Sequence, residues 1–138
     1  MKTITVRDKT YKYVDFGLRH INWRGAHDLC SSINYELPVP LNEDEHNKLV
    51  SLSEGNHMFI GITDKFNEGN WVNYYTGEKI NYTKWDPGQP DNYQREGYGP
   101  EHYGEINYDR VSDRWNDITD QQSDRSAKII CMKLGWLS

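Results

Sequence analysis

The chain has 138 residues, a formal net charge of -5 and 13% aromatic residues, with a mean hydropathy of -0.94. So many Trp and Tyr exclude a disordered chain, and no apolar run approaches the ~20 residues of a membrane-spanning helix. The acidic balance counts against nucleic acid or an anionic membrane as the main partner and leaves room for a cation held by carboxylates.

The first segment, "KTYKYVDFGLRH", alternates as an opening strand, with Tyr11, Tyr13 and Phe16 as packing candidates. In "NWRGAHDLCSSIN", Asn22 is placed to cap a helix in which Trp23, Ala26, Cys30 and Ile33 recur at helical spacing. Two prolines in "ELPVPL" then impose extended chain. "NEDEHNKLVSLS" begins with a capping residue and acids in its first turn, which predicts a second short helix. "HMFIGIT" reads as a buried strand, and "GNWVNYYTGEKINYTKW" as a hairpin turning at "TGEK". "YGEINYDRVSDRWNDI" and "SAKIICMK" are strand-like. This order predicts a single α+β domain over residues 1–138, with no internal repeat or boundary.

Between these elements runs "KWDPGQPDNYQREGYGPEHYGEINYD", residues 84–109. Loops longer than about 12–15 residues inside a compact domain are usually functional or disordered, and the aromatic neighbours favour function. Gln89, Asp91 and Glu101 lie in or at the end of the loop; Asn116 and Asp117 follow in "RWNDI". Three carboxylates and two amides are hard oxygen donors, suited to Ca²⁺ rather than to Zn²⁺ or copper. Singly, an Asp or Asn in a loop is usually a turn former or a solvated charge. "QPD" with a distant "WND" is the stronger signal, because two separate stretches must agree.

With "FIGI" at 59–62, "QPD" at 89–91, "WND" at 115–117 and cysteines at 30 and 131, the chain resembles a C-type lectin domain over nearly its whole length. On spacing alone, Cys30 and Cys131 could be unrelated thiols or a pair closing about 100 residues, worth up to about 4.7 kcal/mol. The resemblance implies that they pair. It also implies the family fold, two helices with small antiparallel sheets and a long calcium-binding loop. It implies that Gln89, Asp91, Glu101, Asn116 and Asp117 hold a Ca²⁺ whose remaining positions take vicinal hydroxyls of a sugar. Pro90 matches the proline that is cis in the family. The protein is then a binding module without catalysis, acting outside the cell. "MKTITVRDK" lacks the apolar stretch of a signal peptide, so export implies either a leader already removed or a route that needs none.

In the family's mannose-type motif a Glu precedes the proline and an Asn follows it; here an amide comes first and a carboxylate second, which exchanges donor and acceptor. Members with "QPD" usually prefer galactose or N-acetylgalactosamine, so the expected partners are galactose-type glycans. Tyr93 stands where galactose-binding members carry a Trp, and its ring suits the apolar face of that sugar. The sugar-binding set is therefore Gln89, Asp91, Tyr93, Glu101 and Asn116, with Tyr98 and His102 as further candidates. A second calcium position, present in some relatives, maps to Asp64 and Glu68 with Asn92 and Glu101, although His102 stands where a carboxylate is expected. Shallow sites bind one sugar weakly, and a homo-oligomer is one route to avidity.

Trp23, Trp71, Trp85 and Trp115 read as core, Trp136 as a tail residue that packs back or joins an interface, and His20, His27, His46 and His57 as surface residues. Asn81 in "NYT" is a glycosylation pattern in a eukaryotic secretory route. Two other readings compete: a lectin-like domain with a protein partner, which usually loses the calcium ligands, and a hydrolase using Glu101 and Asp117 as acid and base. Carboxylates committed to calcium are poor proton carriers.

The second cysteine pair that many members use to fasten the loop is absent, its places falling at Tyr103 and Asp120. Calcium is then expected to order the loop as well as bind in it. Limited proteolysis should cut within residues 86–102 faster in chelator than in calcium, and equal cleavage would refute this.

Overall fold

Strand β1 (Ile4–Arg7) pairs antiparallel with β2 (Tyr11–Arg19), and β2 pairs antiparallel with β7 (Ala127–Leu134), so the two ends of the domain meet in one sheet. This computed structural model describes residues 4–7, 11–92, 99–107, 113–120 and 126–134. A second sheet, in the order β4-β3-β5-β6, joins β3 (Met58–Thr63), β4 (Val72–Asn73), β5 (Tyr103–Ile106) and β6 (Trp115–Ile118), all antiparallel. Helices α1 (Trp23–Ser31) and α2 (Glu43–Ser53) come between β2 and β3.

Both helices start where their asparagines stand. Asn22 Oδ1 accepts from the Gly25 amide at 2.8 Å and Asn42 Oδ1 from the Glu45 amide at 2.9 Å, each satisfying a donor that the first turn leaves open. Glu43, Asp44 and Glu45 in the first turn of α2 add a favourable dipole interaction. Helix α1 buries Trp23, Ala26 and Cys30, and the expected Cys30–Cys131 disulfide ties it to β7 with the two Cα atoms 5.4 Å apart. The proline segment is extended as expected: residues 37–40 are buried, and Glu36 donates to and accepts from Met132 of β7.

Strand β3 is buried throughout. Its Gly61 is required by space, because a Cβ there would lie 2.8 Å from the Leu37 carbonyl oxygen; at Gly104 of β5 it would lie 2.5 Å from Ile62 Cγ1. The core aromatics interlock: Trp23 stacks on Tyr103 at 4.2 Å and donates from Nε1 to the Ile60 carbonyl at 2.8 Å. Trp85 lies edge-on between Trp71 at 4.9 Å and Trp115 at 5.6 Å. Each such pair contributes about 0.5–1.5 kcal/mol beyond its area.

Four expectations need correction. The expected hairpin over residues 69–85 forms as a short one: Val72 bridges antiparallel to Lys79, Asn73 N donates to the Glu78 carbonyl at 2.8 Å and Ile80 N to the Trp71 carbonyl at 3.2 Å, but the chain turns at residues 74–76, ahead of the expected "TGEK". Here side-chain bonds do part of a ladder's work, with Asn73 Oδ1 accepting from the amides of Tyr75 and Thr76. The run from Tyr103 to Ile118 is two strands, β5 and β6, paired with each other. His46 and His57 are buried, at 2% and 5% exposure. His46 shares a face with Leu49 and Ser53 of α2, and Trp115 Nε1 donates to its Nδ1 at 3.2 Å. His27 is half-buried, stacked on Trp23, and only His20 is exposed as expected. Trp85 is likewise only partly buried, and Trp136 lies outside the described residues.

Burial holds the His46 imidazole below its ordinary pKa, and the bond from Trp115 needs the neutral ring. A base whose folded pKa is depressed stabilises the fold above its unfolded value of about 6.5, and that stability is lost as pH falls through the folded value. His46→Gln should therefore flatten the stability–pH curve between about pH 5 and 7 in urea titrations. An unchanged slope would remove His46 as its origin.

Candidate functional site

The loop is built onto β6 from its first residues. Trp115 N donates to the Lys84 carbonyl at 2.8 Å, and Asp86 N donates to the Trp115 carbonyl at 2.9 Å. The chain then turns through Gly88 at φ 86°, the peptide between Gln89 and Pro90 is cis, and Asn92 is left-handed at φ 46°. The left-handed turn is held from below by one side chain. Asp117 Oδ1 accepts from Asp91 N at 3.1 Å, and Oδ2 accepts from Asn92 N at 2.6 Å. Across the residues that follow, Asn92 Oδ1 accepts from Glu101 N at 2.9 Å, which fixes where the chain returns.

This geometry brings the five predicted donors toward one point. Carboxylate oxygens of Asp91, Glu101 and Asp117 lie within 4.8 Å of one another. The Gln89 side-chain amide reaches into the group, one polar atom lying 2.9 Å from Asp117 Oδ1, 2.7 Å from Asn116 Oδ1 and 3.1 Å from Asp91 Oδ1. With only acceptors around it, that atom is the nitrogen, which donates to all three. Three carboxylates this close repel one another unless protons or a cation sit among them. Oxygens sharing an ion at 2.3–2.6 Å stand roughly 3 Å apart, so the donor set fits calcium.

A residue absent from the predicted set directs one of these oxygens. Glu105 of β5 is fully buried, and its Oε2 accepts from Asn116 Nδ2 at 3.3 Å, which leaves Asn116 Oδ1 for the cluster. The two residues are direct cross-strand partners in the β5–β6 ladder, so their side chains share a face. A carboxylate inside the strand sequence "YGEI" is the signal that could have found it.

The second predicted group also assembles, in altered form. Asp64, Glu68 and His102 bring ligand atoms within 4.8 Å of one another. His102 Nδ1 lies 2.8 Å from Asp64 Oδ1 and 3.5 Å from Glu68 Oε1. Asp64 Oδ2 accepts from Gly69 N at 2.9 Å, and Glu68 Oε1 from Asn92 Nδ2 at 3.0 Å. Burial and the neighbouring Asp64 push the Glu68 carboxyl above its ordinary pKa. Tyr93 and Tyr98 lie outside the described residues.

Burial also raises the pKa of Asp117, against the bonds from the Asn92 and Asp91 amides, and the nearby Asp91 charge adds to the rise. An acid with a raised folded pKa contributes stability that is present below its unfolded value of about 3.9 and lost as pH rises through the folded value. In excess chelator, stability should fall as pH climbs from about 4 toward 7, and Asp117→Asn should flatten that slope. Identical slopes would show that another group sets it.

Comparison with known proteins gives a consistent result. The family model of the lectin C-type domain matches residues 19–133. Perlucin of Haliotis laevigata is 32% identical over 109 residues, covering 75% of this chain and 64% of perlucin. Asialoglycoprotein receptor 2 of Rattus norvegicus is 34% identical over 108 residues, covering 78% of this chain and 35% of the receptor. The chain thus spans less than two thirds of either relative's length. The crystal structure of the C-type lectin CEL-I from Cucumaria echinata superposes with a TM-score of 0.75 at 27% identity, covering 98% of this chain and 97% of that one.

Proposed function

Because the chain belongs to the C-type lectin family, a family of binding modules rather than enzymes, we propose that it binds carbohydrate through calcium and prefers galactose-type glycans. The residues that would hold the ion are Gln89, Asp91, Glu101, Asn116 and Asp117. The observation that carries this reading is the convergence of the Asp91, Glu101 and Asp117 carboxylates within 4.8 Å, with the Gln89 and Asn116 amides set against them. When bound, the calcium would accept two vicinal hydroxyl oxygens of a pyranose as further ligands.

The chain's own side chains would then select the sugar. Gln89 can donate through its NH₂, and Asp91 only accepts, which is the polarity opposite to the mannose-type motif. Glu101 and Asn116 would complete the hydrogen bonds to the hydroxyls, and Tyr93 would pack on the sugar's apolar face. The likeness to a receptor named for asialoglycoproteins supports a glycoprotein ligand. Asp64, Glu68, Asn92 and Glu101 form a second, weaker position in this proposal, because an ion there must displace the His102 imidazole from Asp64. We place the protein outside the cell, and among the described residues no helix is long and apolar enough to cross a membrane.

Calorimetric titration should show galactose binding that excess chelator abolishes, with mannose silent. The double substitution Gln89→Glu and Asp91→Asn should reverse that preference. Chelator-insensitive binding, or mannose preferred by the unsubstituted chain, would overturn the calcium or the specificity part respectively. Calcium bound without either sugar would favour a protein partner.

A further inference from the structure

One motif takes no part in the calcium cluster: "NYT" at residues 81–83, the chain's single Asn-x-Ser/Thr triplet. It follows the short hairpin, where Ile80 N donates to the Trp71 carbonyl, and ends just before Lys84, whose carbonyl accepts from Trp115 N at 2.8 Å. Between those anchors, residues 80–84 lie outside every strand and alternate in exposure. Ile80, Tyr82 and Lys84 are partly buried, while Asn81 and Thr83 are exposed. The inward set is held in place. The Tyr82 ring meets Trp115 edge-on at 5.9 Å and its hydroxyl donates to Glu43 Oε2, while Lys84 Nζ pairs with Glu43 Oε1 at 3.0 Å. The amide and the hydroxyl that a glycosylation acceptor needs therefore share the outward side.

Beside Asn81 opens a cavity of about 410 Å³, within the ~300–1,000 Å³ typical of small-molecule sites. Asn81 is part of its wall, with Pro40, Leu41, Ile80 and Tyr82 as apolar surface and Glu78 and Lys79 as polar groups. Leu41 is 62% exposed, and among the described residues only Phe66 is a more exposed large apolar side chain. A lone exposed leucine is ordinary. This one stands beside an acceptor whose modification would cover it.

We propose that Asn81 carries an N-linked glycan whose first N-acetylglucosamine lies in this cavity against Leu41. The proposal rests on the placement of the chain outside the cell, not on the calcium or the sugar specificity. The Cys30–Cys131 disulfide is of a kind that persists in oxidising compartments, in keeping with that route. In the transfer, which the secretory route's own enzyme catalyses, Asn81 Nδ2 attacks the anomeric carbon of an oligosaccharide carried on a lipid diphosphate. A C–N bond forms and the anomeric C–O bond breaks. The lipid diphosphate leaves with the electron pair, and the amide nitrogen gives up one proton. Once attached, the sugar's C–H face suits the Leu41 and Tyr82 walls. Its acetamido group and hydroxyls both donate and accept, which matches Lys79 and Glu78.

The test expresses the whole chain behind a cleavable secretion leader in cultured animal cells and weighs the secreted protein. Its mass should exceed that of the bare chain by a glycan that peptide N-glycosidase F removes. Asn81→Gln and Thr83→Ala should each be secreted bare, and Thr83→Ser should keep the glycan. In protein trimmed to one N-acetylglucosamine, the Leu41 methyl resonances should shift from their positions in Asn81→Gln, with those of Leu18, exposed on β2, unmoved. A bare chain in the medium overturns the site, and a glycan with Leu41 unmoved overturns its seat in the cavity. A bare chain retained in the cell overturns the site and the placement together. Galactose titrated into the glycosylated protein scores the lectin reading separately, since neither the mass nor the Leu41 shift depends on calcium.

Discussion

Strand Trp115–Ile118 pairs along one edge with Tyr103–Ile106 and along the other, at Trp115, with Lys84 and Asp86. Both ends of the long loop are therefore fastened to the strand that carries Asn116 and Asp117. Trp115 is fully buried, packs against Trp85 and Tyr82, and spends its indole N–H on His46. A shift of this strand by one residue would turn Asn116 and Asp117 to opposite faces. The core thus sets the register, and the register sets the site.

From that base the loop organises around a single buried carboxylate. Asp117 accepts two consecutive backbone amides, a small anion-holding nest made from the loop itself. Those two bonds stabilise its charge, while burial and Asp91 oppose it. The balance is a group held in place for a positive partner. Glu105, behind Asn116, extends the same logic one layer deeper: it orders an amide so that the oxygen, and not the nitrogen, reaches the cluster.

The places where many relatives carry a second cysteine pair are used differently here. Tyr103 stacks on Trp23 and receives a hydrogen bond from Arg24 Nη2 at 3.2 Å. Arg24 also donates to the Tyr74 hydroxyl at 2.9 Å. Aromatic packing thus fastens the base of the returning strand. Higher in the loop, Asn92 and His102 hold the chain through hydrogen bonds to Glu68 and Asp64.

Much of this was legible in the chain itself. Asn22 and Asn42 cap helices because a short side-chain oxygen satisfies an amide three residues on, a local interaction that any context preserves. The helical spacing of Trp23, Ala26 and Cys30 marked a buried face for the same reason. The disulfide and the five oxygen donors came from motifs whose order matched a known family, not from spacing. Other features were invisible because they depend on partners far away in sequence. His46 looked like a surface residue until Trp115, 69 residues later, made use of its nitrogen. Glu105 looked like any charged residue until the strand pairing set it beneath Asn116. The sequence by itself determined which side chains could bind a hard cation and where helices begin, since those follow from donor chemistry and local hydrogen bonds. Which oxygens face one another, and which histidines are dry, only the tertiary structure decided, because both depend on strand register and on the burial that register creates.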